Sequence, residues 1–277
     1  MVYNKIILYY QTLIGLEKIY NSNDNYVTHI HLSAFHFGSD NNNSYIHLNN
    51  SSPYDKMYDK TWNDLVECKK KGIKNIIMLG GAGGAFNYMF QDENKYNQCL
   101  YLLLKLIEDK KDIIDGIDLD IEEYIGLNNC IRLIKDLNNN LPKDFIIAMA
   151  PVADDLSVDA EGMGGFKYSD LIKSEVGNRI NYFNGQFYDY DLSNESTLLD
   201  YYNSCTKIIP REKLVLGIEY VSGDFYDELK SLVHNDPIGG VDYWEYIHMP
   251  NDFLKNVDSI FYNNYYSEFL SNECTIL

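Results

Sequence analysis

Residues 113–122 read Ile-Ile-Asp-Gly-Ile-Asp-Leu-Asp-Ile-Glu, and the spacing of the acids in this segment is its informative feature. A strand sends alternate side chains to opposite faces. Ile117, Leu119 and Ile121 therefore share one face, and Asp118, Asp120 and Glu122 share the other. Carboxylates in such a row repel one another and resist desolvation. A hydrophobic core gains nothing from them. An acid/base site does, because adjacent carboxylates cannot all ionise cheaply and come to share protons. Glu122, desolvated at the strand end and beside other acids, is expected to have a raised pKa suited to proton donation. A metal site, or a ladder that has lost its chemistry, would leave the same pattern.

Elements able to hold such a strand recur along the whole chain. Apolar strand-like runs at 5–10, 28–37, 75–79, 113–121, 145–150, 180–187, 214–220 and 240–246 alternate with helical stripes, the pattern of a parallel α/β fold. Tyr58, Trp62, Leu65 and Val66 keep helical spacing, as do Leu100, Leu103, Leu104 and Ile107. Eight strands are what a closed (β/α)8 barrel needs, and 277 residues fit its usual size of about 250. No linker or composition shift divides the chain, so residues 1–277 are expected to form one domain. The polar stretch 40–50 looks like an excursion after the second strand, and its sequons at Asn42, Asn49 and Asn50 are read as loop asparagines. In such a barrel, chemistry sits at the carboxyl ends of the strands. Glu122 would then lie at the mouth, with Asp118 and Asp120 running down into the bore.

Composition excludes several function classes. A formal net charge of −18 argues against nucleic acid, which needs a basic footprint, and against docking on an anionic membrane surface. A neutral or amidated sugar polymer meets no such penalty. The 45% hydrophobic and 14% aromatic content is that of a globular chain, and the 25 Tyr suit sugar-stacking surfaces. The first ten residues lack a signal-peptide pattern and read as a strand, which leads to the expectation of a cytoplasmic protein. Five cysteines (Cys68, Cys99, Cys130, Cys205, Cys274) cannot all pair and match no metal motif, and Cys99 and Cys130 fall on helical stripes as core thiols. The final Cys274-Thr275-Ile276-Leu277 has the form of a prenylation box, although no polybasic stretch precedes it. A membrane contact is expected only through Cys274, and a monomer otherwise.

The segment around Asp118 matches D-G-x-D-x-D-x-E, and further motifs are spread along the chain: Ala34-Phe35, Met78-Leu79-Gly80-Gly81, Met149-Ala150-Pro151, Gln186-Phe187-Tyr188 and Trp244-Glu245. Together they resemble family 18 glycoside hydrolases, most closely compact microbial chitinases and endo-β-N-acetylglucosaminidases. The resemblance implies a barrel without a large α+β insertion, no cofactor, and cleavage of N-acetylglucosamine-containing oligosaccharides or glycans. It implies Glu122 as general acid, with the substrate's own N-acetyl carbonyl as nucleophile. Asp120 would orient that acetamido group and stabilise the oxazolinium intermediate, Asp118 would share a proton with Asp120, and Tyr188 would hydrogen-bond the acetamido oxygen. Trp244 would floor the reacting sugar, and Met149, Gln186, Phe35 and Gly81 would line its site. Met78 departs from the pattern: the family often has Ser there, hydrogen-bonded to the inner Asp. Chitin and the chitobiose core of N-glycans both fit as substrates. A catalytically silent sugar-binding barrel and a membrane-tethered scaffold are the readings from other classes.

Overall fold

Eight parallel strands hydrogen-bond side by side until the first meets the second across the closed circle. They are β1 (Lys5–Tyr10), β2 (His29–Asp40), β4 (Lys74–Gly80), β5 (Gly116–Asp120), β6 (Ile146–Met149), β7 (Tyr182–Gln186), β8 (Leu214–Ile218) and β9 (Gly240–Tyr243). A ninth, β3 (Asn43–Leu48), runs antiparallel to the far end of β2. The order β1-β9-β8-β7-β6-β5-β4-β2, with β1 also pairing β2, closes the (β/α)8 barrel that the periodicity predicts. The structure is a computed structural model that describes residues 4–24, 26–41, 43–188, 197–234 and 236–273. The stretch after β2 is thus a hairpin arm on the barrel rim, with Phe35 level with Leu48 and Asp40 level with Asn43.

Strand alternation sorts the side chains into two compartments. Ile6, Leu8, Ile117, Leu119, Ile147, Leu214, Leu216 and Val241 join one large buried cluster between sheet and helices. Inside the bore, Ile7, Ala148, Tyr182 and Val215 form one apolar layer, and Tyr9, Ala34 and Met78 form another with Trp244 packed against it. The carboxylates lie among these layers, since Asp118 is level with Met78 on β4 and with Ala148 on β6. The helices cover the outside by the spacing their sequences carry. Helix Glu93–Asp109 starts where the Asp92 side chain accepts the Lys95 backbone N–H, and it buries Tyr96, Cys99, Leu103, Leu106 and Ile107. Helix Asp59–Lys70 buries Trp62, Leu65 and Cys68. Cys68, Cys99, Cys130 and Cys205 are free and buried, and Cys274 lies outside the described residues.

Gly80 closes β4 where two strands come very close. Its φ is +102°, and an added Cβ would lie 2.1 Å from the backbone oxygen of Asp120. Gly72 also has a left-handed φ, +84°, but nothing lies within 4 Å of its Cβ position. Gly72→Ala is expected to cost about 1–2 kcal/mol for conformation alone. Gly80→Ala carries the same cost and must also push β5 away from β4, so urea denaturation should show a clearly larger loss. Equal losses would contradict the close approach.

Candidate active site

At the floor of the site, one carboxylate oxygen gathers three donors. Asp118 is fully buried on β5, and its Oδ2 accepts the Tyr9 hydroxyl at 2.6 Å, His31 Nδ1–H at 3.1 Å and the Asn184 amide at 3.4 Å. The Asn184 amide also donates to the Tyr9 hydroxyl oxygen at 2.9 Å, and His31 Nε2 lies 3.0 Å from the Tyr182 hydroxyl. These partners come from β1, β2 and β7, so only the closed barrel brings them to one atom. Charge-assisted hydrogen bonds of this kind offset the desolvation of a buried carboxylate.

Above this floor a cleft of about 380 Å³ opens at the carboxyl ends of the strands, lined among others by Gly81, Asp120, Glu122, Gln186, Tyr188 and Trp244. Asp120 ends β5, and its Oδ1 accepts the Gln186 side-chain amide at 3.2 Å, while the same amide donates to the Ala150 carbonyl at 3.0 Å. Trp244 stands against Tyr9 edge to face, ring centroids 5.3 Å apart, which fixes one wall. Glu245 beside it accepts the backbone N–H groups of Gln11 and Thr12 at 2.9 and 3.0 Å, and so holds the loop after β1 against the rim. A larger hollow of about 510 Å³ between helices Phe225–Val233 and Phe253–Glu273 offers no carboxylate at all. Chemistry, not size, marks the site.

The electrostatics of the cleft set its acids apart. Burial first, then the charges of Glu122, Asp118 and Asp242, push the Asp120 carboxyl well above the usual carboxylate range. Glu122 is also pushed up, mainly by partial burial and further by neighbouring Glu123, with Gln186 working the other way. Burial and the charges of Asp242, Asp120, Glu219 and Asp118 keep the Tyr188 hydroxyl protonated far beyond neutral pH. A half-buried acid at the mouth, a buried acid beneath it whose carboxyl is pushed up, and a protonated phenol can donate and hold protons around a bound ligand. Among the described residues no three His, Cys, Asp or Glu side chains gather as metal ligands, and no helix is long and apolar enough to cross a membrane.

The family model "Glycosyl hydrolases family 18" matches residues 5–268. The chain belongs to that family. Its similarity to solved family 18 enzymes is substantial. The chitinase ChiC from Aspergillus fumigatus is 31% identical, with 90% of this chain and 94% of that one covered and a TM-score of 0.80. A fungal endo-β-N-acetylglucosaminidase of the family is 26% identical over 92% and 97% of the two chains, with a TM-score of 0.81. A chitinase from Pseudoalteromonas aurantia, at 23% identity over 93% and 100% and a TM-score of 0.74, shares the fold. No curated protein matches the chain. The family 18 membership makes the protein a glycoside hydrolase.

Of the residues that the family resemblance nominates, Glu122, Asp120, Gln186, Tyr188, Trp244 and Gly81 meet around one cleft, with Asp118 directly below. Two do not. Met149 shares the parity of Ile147, not of the inward Ala148, so it is buried in the outer cluster. Phe35 is likewise turned outward, because the β2–β4 register shifts between Leu32 and Phe35 and leaves Ala34, not Phe35, at the cleft. Tyr9, His31, Asn184 and Asp242 were not nominated, and the inward parity of their strands was the one available signal. Met78 extends towards the mouth and lines the cleft instead of bonding Asp118.

Asp242 sits in the bore of the family 18 barrel at 1% exposure, both carboxyl oxygens lack a hydrogen-bond partner, and an added Cβ on Gly217 would lie 2.7 Å from it. Burial, then Asp118, push its carboxyl well above the ordinary range. A raised carboxyl pKa means that the folded protein holds a proton the unfolded chain releases near pH 4. That contribution to stability is complete below about pH 4 and is lost as pH rises through the folded-state value. Asp242→Asn, a mimic of the protonated acid, should match wild type below about pH 4 and be more stable at pH 8 in urea denaturation. A variant that loses stability equally at both pH values would refute the protonated state.

Proposed function

We propose that this enzyme cleaves the β-1,4 bond after an N-acetylglucosamine residue, with chitin oligomers as the leading substrates and retention at the anomeric carbon. The observation that carries the reading is the pair lining one cleft: Asp120, whose carboxyl is pushed up by burial and by its neighbours, and Glu122 at the mouth, whose carboxyl is also raised. In this reading Glu122 protonates the glycosidic oxygen as the bond breaks. The substrate's acetamido oxygen attacks the anomeric carbon from the other face, giving an oxazolinium ion. Asp120 faces the acetamido nitrogen, and the Tyr188 hydroxyl donates to its oxygen, which aligns the nucleophile. Water then attacks the anomeric carbon, Glu122 takes its proton, and the starting protonation state returns. Trp244 offers an indole face to the apolar side of the sugar ring.

The fungal endo-β-N-acetylglucosaminidase relationship supports a second substrate, the chitobiose core of N-glycans. Both substrates present the same reacting sugar to the same residues, and the loops around the rim decide between them. Glu122→Gln is expected to lower kcat by about 10²–10⁴-fold on chitotetraose or on a high-mannose N-glycan, while sugar affinity stays within a few-fold. Running both substrates with wild type identifies the one used. A wild type that binds sugar and cleaves neither would replace the hydrolase reading with that of a sugar-binding barrel.

A further inference from the structure

Met78 stands level with Asp118 on β4, the position from which a small hydroxyl would reach the inner acid. Its thioether instead packs with Tyr9 and Ala34, so the inner acid must be held from another direction. We propose that His31 is a positioning residue of the reaction, a ring on β2 that fixes Asp118 through Nδ1 and is itself fixed through Nε2 by Tyr182. The inference rests on the hydrolase reading of Asp120 and Glu122.

The geometry separates this role from that of a merely satisfied core histidine. Asp118 Oδ1 meets no donor, so the carboxyl is oriented entirely through Oδ2. The Tyr9 hydroxyl alone, at 2.6 Å, would leave the group free to pivot about one bond, and the Asn184 amide is distant at 3.4 Å. His31 supplies the second close donor, at 3.1 Å and from another strand. A carboxylate only accepts, so Nδ1 carries a proton, and Nε2 lies within hydrogen-bond distance of the Tyr182 hydroxyl at 3.0 Å. The ring is fully buried and packs edge to face against Tyr9, centroids 4.8 Å apart, so it cannot swing away. Asp118 in turn acts on Asp120 through its charge, and a displaced Asp118 changes how firmly Asp120 keeps its proton. His31 thus reaches the reaction through two carboxylates and touches no substrate.

The test compares His31→Leu, His31→Asn and Tyr182→Phe with wild type, on whichever of chitotetraose and a high-mannose N-glycan wild type cleaves. His31→Leu removes the donor and should lower kcat by about 10²-fold, the scale of a small misplacement of reacting groups, with KM changed less than about threefold. His31→Asn places an amide N–H near the lost Nδ1–H and should recover about tenfold of that loss. Tyr182→Phe keeps the ring and releases only the outer anchor, and should lower kcat about fivefold at constant KM. Thermal unfolding of each variant checks the fold. Should His31→Leu not fold, the other two decide: unchanged kcat in Tyr182→Phe, or a loss of about 10²-fold or more in a folded His31→Asn, overturns the role of His31. A rise in KM alone overturns it too. An inactive wild type overturns the hydrolase reading, and this inference with it, whereas an active wild type with a fully active His31→Leu overturns this inference alone.

Discussion

Burying carboxylates in the bore of a barrel is costly, and the arrangement around Asp118 is how this chain does it. An isolated ionised carboxyl in such surroundings would neutralise itself or destabilise the fold. Here hydrogen-bond donors from β1, β2 and β7 converge on its Oδ2, while the two nearby acids, Asp120 and Asp242, are pushed towards their protonated forms. The bore therefore behaves as a coupled set of protonation sites, in which the state of one acid depends on the placement of another. The cleft at the mouth inherits that coupling, since Asp120 spans both: its carboxyl lines the cleft and feels the charge of Asp118 below.

Much of this was legible in the sequence, for a specific physical reason. Strand periodicity is local, so the eight runs and the shared face of Asp118, Asp120 and Glu122 follow from alternation alone. The family motifs added partners on other strands, and most of those meet at the cleft. Met149 and Phe35 do not, because a motif carries residue identity without the parity of the strand it sits on. One residue decides parity: Ala148 faces inward, so Met149 cannot. At Phe35 a register shift moves the boundary by a residue, which no local pattern reveals.

The donors to Asp118 were illegible for the opposite reason. Tyr9, His31 and Asn184 lie 109, 87 and 66 residues from it in the chain, and their meeting depends on closure of the barrel. Each reads locally as an ordinary polar residue on an apolar strand. The absent hydroxyl at Met78 was visible in the sequence, but its replacement was not, because His31 approaches from the adjacent strand β2. The arm made by β2 and β3 was hidden by the polar composition of residues 40–44, which masks an antiparallel pairing.

In the proposed reaction, Glu122 and Asp120, both with raised carboxyls, serve an attack by the substrate's own acetamido group. Two displacements at one carbon restore its configuration. Proton NMR of a freshly started digest, read before mutarotation, therefore tests it most directly. The β anomer of the new reducing end should appear first. Appearance of the α anomer first would mean that water attacks directly, and would contradict the roles of Asp120 and Tyr188 in aligning the acetamido group.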